Sequence, residues 1–168
     1  MNTPVVRNEH VTNSSMVAIL EWLLQHKNAP VQTIERYLNR TVKGGSCGGC
    51  GRGCASASSW KDTQCDKFKW YILLSTPKKS VGVCIIRRGY AARVHSHRPK
   101  EAYYVLQGRA LMRTGDRVRA LRAGERVQIP SGKKHALTAL SPVVILLFSF
   151  DVPFDQVHYT MFPSFLDP

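Results

Sequence analysis

Short β-rich runs dominate this chain from Phe68 onward: KWYILL, VGVCIIRR, ARVH, AYYVLQ, ALMR, RVRAL, RVQIP and VVILLFSF. They are punctuated by Pro77, Gly82, Gly89, Gly108, Gly115, Gly124 and Gly132. Strand formers broken this often by turn formers build an antiparallel sandwich or barrel. The longest apolar run, Val143 to Phe148, is far short of the roughly 20 residues that span a bilayer. It reads as a buried strand, and no membrane is expected as a partner.

The sequence before Phe68 has a different rhythm. From Ser14 to Lys27, Val17, Leu20, Leu24 and Ile19, Leu23 fall at helical spacing, and Ser14 or Ser15 is placed to cap the start. Pro30 suits the first turn of a second helix, VQTIERYLNR, whose Ile34, Tyr37 and Leu38 share one face. Residues 44–59, GGSCGGCGRGCASASS, are mostly Gly, Ser, Ala and Cys, a composition with little apolar area to bury. The expected organisation is therefore a helical segment (1–43), a Gly/Cys/Ser-rich linker (44–66), a β-barrel (67–152) and a C-terminal tail (153–168).

Five cysteines, three of them within eight residues, do not form the even set of a secreted disulfide scaffold. With no basic leader or small-residue cleavage site before the first apolar stretch, a cytoplasmic location is expected. Cys47, Cys50, Cys54 and Cys65 could supply four thiolates to a second, structural zinc, although paired C-x-x-C halves are missing; a flexible reduced linker is the other reading. Cys84, inside VGVCII, reads as a packed core thiol. His10, His26 and His158 have no ligand-spaced neighbour and read as surface or structural residues.

The stretch HSHRPKEAYYVLQG, residues 95–108, concentrates the chemistry. Side chains alternate faces along a strand, so His95 and His97 point one way and Ser96 the other. Pro99 favours a turn, and Glu101 and Tyr103 then share a face of the next strand. A later unit, GERVQIPSGKKH, repeats the layout and ends on His135. Three imidazoles and one carboxylate, with positions left open, suit one divalent transition metal: Fe, Mn, Ni or Zn.

These spacings resemble the two motifs of the cupin superfamily. The first, G, five residues, H-x-H, three or four residues, E, six residues, G, is met by Gly89, His95, His97, Glu101 and Gly108. The second is met by Gly124, Pro130, Gly132 and His135, with Ala139 where the motif ends in Asn. The resemblance covers roughly residues 68–150 and implies a mainly β double-stranded β-helix, or small jelly roll, with a metal inside. The order EAYYVLQG is also similar to the first motif of cupin dimethylsulfoniopropionate lyases. That likeness implies His95, His97, Glu101 and His135 as metal ligands and Tyr103 as the base that removes the substrate's α-proton.

Fold does not fix reaction, because cupins include dioxygenases, decarboxylases, isomerases, lyases and sensory or storage proteins. The expected function is a metal-dependent enzyme acting on a small carboxylate, first a lyase working by proton abstraction and elimination. An iron-dependent dioxygenase and a non-enzymatic metal- or effector-binding protein are the alternatives. Tyr103 itself has a plainer reading as a pocket-wall aromatic.

A net charge of +13 raises the question of an anionic partner. From Arg87 to Lys134 thirteen basic residues stand against Glu101, Asp116 and Glu125. Arginines alternating with apolar residues, as in Arg117-Val-Arg119-Ala, read as the wet face of a barrel exterior. Any of that charge at the barrel mouth would attract an anionic small-molecule substrate. Nucleic acid is disfavoured, since no aromatic-basic motif or helix-turn-helix accompanies the charge. The tail FDVPFDQVHYTMFPSFLDP suits either covering a barrel edge or packing across a second copy in a homodimer.

Overall fold

The structure, a computed structural model, describes residues 13–42, 67–90 and 93–166. His10 and the linker cysteines Cys47, Cys50, Cys54 and Cys65 lie outside the described residues. Two antiparallel sheets carry the fold. The first runs, in spatial order, β1 (Phe68–Thr76), β2 (Lys79–Arg87), β9 (Val143–Phe150), β4 (Glu101–Gln107) and β7 (Arg126–Ile129). The second runs β10 (Thr160–Met161), β3 (His95–Ser96), β8 (His135–Ala139), β5 (Arg109–Thr114) and β6 (Arg117–Arg122). This is the antiparallel sandwich that the glycine-punctuated runs predict, in the jelly-roll form that the cupin resemblance implies.

Between the sheets lies a core built from every second residue of the strands, including Phe68, Cys84, Val105, Met112, Leu121 and Phe148. A second core forms on the outer side of the first sheet, where α1 (Asn13–Gln25) and α2 (Val31–Thr41) lay Ile19, Leu23, Ile34 and Leu38 on Tyr71, Leu73, Val83, Ile85 and Ile145. Each fully buried helix side chain contributes about 1.5–3 kcal/mol. Strands covered on both faces need no polar alternation, which is why VGVCII and VVILLF are continuously apolar. Only one stripe of α1 is used: Ile19 and Leu23 are buried, whereas Val17 and Leu24 remain 47% exposed. α2 is pinned further by Glu35, which sits 2.9 Å from Arg87 Nη2 and 3.3 Å from Lys69 Nζ. The Tyr71 hydroxyl donates to Asn39 Oδ1 at 3.1 Å.

Three sequence expectations change. The run ARVH gives only the two-residue strand His95–Ser96, before which a single backbone bond, from Phe162 N–H to the Val94 carbonyl at 2.9 Å, continues the pairing. The strand His135–Ala139 was hidden behind the turn signals of PSGKKH; its buried His135, Leu137 and Ala139 alternate with Ala136 and Thr138. The third change concerns the arginines of β6. In β6, Arg117 pairs with Thr114 and Arg119 with Met112, and directly paired residues share a face. Met112 belongs to the inter-sheet core, so Arg117 and Arg119 lie on the inner face and Val118, 54% exposed, lies on the outer one. By register the arginines take the inner face, yet both stay exposed to solvent at this edge strand, the Arg119 side chain at 51%.

Part of the tail covers a sheet edge, one of its two expected roles. β10 extends the second sheet beside β3, pairing Met161 with His95, and Phe162 stacks under Lys134 Nζ at 4.1 Å. Among the described residues no helix is long and apolar enough to cross a membrane.

Two glycines answer to contact rather than composition. At Gly82 on β2 a Cβ would collide with the ring of Phe148, its partner on β9. Gly108, between β4 and β5, has φ +86° and would drive a Cβ into the Val143 carbonyl and Ser141 Oγ. Gly124 has φ +89° but open space around the missing Cβ. Gly124→Ala is therefore expected to lose about 1–2 kcal/mol for the left-handed backbone alone, and Gly108→Ala roughly 1–3 kcal/mol more for the added collision. Urea unfolding of the two variants measures the difference, and equal losses would remove the steric argument.

Candidate metal centre

Register assembles the site. His95 on β3 stands directly opposite His135 on β8, and His97 follows β3 in the turn toward β4, which opens with Glu101 on the facing sheet. One ligand atom from each of the four lies within 4.8 Å of the others. All four residues are buried, at 1–3% exposure. The sequence reading thus named four residues that the fold does bring together.

The three imidazoles are held alike. Nδ1 of His95, His97 and His135 lies 2.7, 2.8 and 2.8 Å from the carbonyl oxygens of Arg93, Pro99 and Lys133, each two residues away in sequence. A carbonyl can only accept, so each Nδ1 carries the proton and each Nε2 turns its lone pair inward. Glu101 Oε2 sits 3.1 Å from His97 Nε2 and 3.2 Å from His135 Nε2. Between a carboxylate and a neutral imidazole lone pair those contacts repel; they need either a proton or a cation. A separation near 3 Å is also what two adjacent ligands show on one ion with bonds of about 2.1 Å. Glu101 Oε1, buried and without a hydrogen-bond partner, adds a further inward lone pair. The donor set, its burial and its spacing all fit a divalent metal.

The electrostatics of the metal-free protein point the same way. Burial, with His135 beside it, lowers the His95 pKa to about 3, so this ring stays neutral. For Glu101, burial raises the pKa, but hydrogen bonds from His135 and His97 outweigh it and bring it to about 2. Burial lowers the pKa of His97 as well, and there the hydrogen bond to Glu101 reverses the sign, leaving it raised. At His97 a metal ion and a proton therefore compete.

Tyr103, the predicted base, is buried on the inner face two residues beyond Glu101, with burial and then the Glu101 charge pushing its phenol well above the ordinary value. Tyr104 points the other way and is 36% exposed. Cys84 is a buried free thiol, as its apolar run implies. His158 is exposed, and His26 stacks on Trp22 with centroids 4.1 Å apart. Sequence reading missed Tyr159, whose ring lies 5.5 Å from that of His95 and 5.6 Å from that of His97. No local pattern marks it, because it reaches the site only through the pairing of β10 with β3.

The comparisons agree with this geometry. A family model described as Cupin domain matches residues 82–149. Those residues form a cupin domain. No curated protein matches the chain in sequence. Among solved structures, one from the DMSP lyases RdDddP and RnDddQII is 25% identical, with a TM-score of 0.51 over 56% of this chain and 52% of that one. A mutant of Bacillus subtilis oxalate decarboxylase OxdC is 16% identical, with a TM-score of 0.52 over 58% of this chain and 29% of that one. A mutant salicylate 1,2-dioxygenase from Pseudoaminobacter salicylatoxidans is 13% identical, with a TM-score of 0.53 over 58% of this chain and 31% of that one. This chain thus spans about half the length of the lyase chain and about a third of the other two, and the latter pair share its fold alone.

Two outcomes are expected. The purified protein should hold about one divalent ion per chain by elemental analysis, and His97→Ala or His135→Ala should each lose most of it; full occupancy in the double variant would contradict the assignment. The second concerns acid. Between pH 6.5 and 3 the unfolded chain protonates His95 while the fold refuses the proton, and between 4.5 and 2 the same holds for Glu101. Stability of the metal-free protein should therefore fall as pH drops below about 6.5, while the share from the raised His97 is lost only as pH rises. A melting temperature that stays level from pH 6.5 to 4 would refute this.

Proposed function

We propose that this cupin is a metal-dependent lyase acting on a small β-substituted carboxylate. The observation that carries the reading is that Tyr103 is buried on the same strand face as Glu101, near enough for the Glu101 charge to raise its phenol. The 25% identity to a DMSP lyase structure supports it. A divalent ion held by His95, His97, Glu101 and His135 would supply Lewis acidity toward the substrate carboxylate and enough positive charge to offset Glu101 and lower the Tyr103 phenol.

Tyr103 Oη then takes the proton α to the carboxylate. The C–H electron pair becomes the α,β double bond, and the β-substituent leaves with its own bonding pair. The captured proton stays on the Tyr103 hydroxyl until it returns to solvent or to the leaving group. Phe150, 5.1 Å from the His97 ring, and Tyr159 wall the site and keep bulk water from the carbanionic carbon.

A second reading, an iron-dependent dioxygenase, draws on the strong hold that burial and Glu101 exert on the Tyr103 proton. It uses the same four ligands and needs no phenol base. Anaerobic turnover separates the two: elimination proceeds without O₂, oxygenation does not.

Sulfonium and other β-substituted carboxylates are the substrates to assay, with the released alkene and leaving group quantified. Tyr103→Phe should keep metal and fold yet lose about 10²–10⁴-fold in kcat. Tyr104→Phe should turn over at nearly the parent rate. An unchanged rate in Tyr103→Phe would overturn the elimination mechanism.

A further inference from the structure

The inner face of the second sheet holds a row of four directly paired residues. His95 pairs with His135, His135 with Thr114, and Thr114 with Arg117. The next row runs Leu137, Met112, Arg119. Two guanidinium-bearing side chains therefore occupy the same face as the metal ligands, at the edge strand where the sandwich opens. Successive strands lie about 4.8 Å apart, so Arg117 is set roughly 10 Å across the sheet from His135.

That edge is concave. A cavity of about 720 Å³ lies between β6 and β7, lined among others by Thr114, Arg117, Arg119, Arg126, Gln128 and Lys133. Asp116 is its only carboxylate, and Glu125 approaches Arg119 to 3.8 Å from outside it. Arg117 and Arg119 stay solvent-exposed on this edge strand, so their guanidinium groups are open to an anion entering the cavity. Cations there make sense as ligands for something that enters.

We propose that Arg117 and Arg119 bind a second anionic group of the substrate, so that the molecule bridges the metal centre with one carboxylate and the β6 edge with another anion. The proposal rests on the metal-centre reading and narrows it: among β-substituted carboxylates, those with a second anionic group, such as a dicarboxylate or phosphorylated carboxylate, are held best. Paired guanidinium–carboxylate contacts supply both affinity and orientation.

Titration calorimetry on the metal-loaded protein tests this, with dicarboxylates from succinate to azelate compared against monocarboxylates of equal chain length. At the chain length that spans the two sites, the dicarboxylate should bind about tenfold tighter than its monocarboxylate, and the gap should shrink in high salt. The double variant R117Q/R119Q should lose that gap while keeping its metal and its monocarboxylate affinity. Equal binding of both series, or a gap that survives in the double variant, overturns the proposal and leaves the metal centre standing. His135→Ala separates the other failure: if arginine-dependent dicarboxylate binding persists without metal while monocarboxylate affinity is unchanged, the anion site holds and the metal-centre reading fails. A single-stranded oligonucleotide that binds more tightly than every dicarboxylate and displaces them would also overturn it, in favour of a polyanionic macromolecule.

Discussion

Cross-strand register on the inner faces of the two sheets governs the whole molecule. Because paired residues share a face, the pairings of β3 with β8, β8 with β5 and β5 with β6 decide at one stroke which side chains meet inside. Glu101, opening β4, is brought to the same interior by its pairing with Phe150 and Ile129 in the other sheet. A shift of one residue in any of these ladders would send a ligand to the outside and a neighbour inward. Chemistry and folding thus share a single geometric requirement.

Placing four polar side chains in an apolar interior opposes folding unless each is satisfied. The three Nδ1–carbonyl bonds do part of this, and they cost little because each imidazole uses a carbonyl two residues away, already held by the turn or strand end. The other part falls to the Glu101 cluster, where the carboxylate and the lone pairs of two imidazoles sit too close to be comfortable without a positive charge among them. Stability and occupancy are consequently linked: whatever cation fills the cluster also stabilises the sandwich around it.

Much of this was legible in the sequence. The alternation of His95 with His97 and of Glu101 with Tyr103, together with the repeat ending at His135, identified residues that the fold buries side by side, and the apolar runs marked strands covered on both faces. What escaped shares one cause. The inward turn of Arg117 and Arg119 depends on which face of β6 meets Met112 and Thr114, and period-two alternation alone leaves that sign undetermined. Tyr159 reaches the histidines because residues 160 and 161 pair with β3, a contact some 65 residues distant that no local pattern encodes. The strand at His135 was masked by its own preceding turn.

The helical cover has a consequence for how the first sheet finds its alignment. With α1 and α2 on one side and the sandwich core on the other, β2 and β9 are apolar on both faces, so a slipped pairing between them would bury nearly the same oily surface and incur little solvation penalty. Shape must then do what amphipathic contrast does elsewhere. Gly82, opposite Phe148, is the notch: a slip of one residue would set that ring against Val81 or Val83 instead. In this sheet a single absent side chain acts as the lock that lets only one of several equally greasy alignments close.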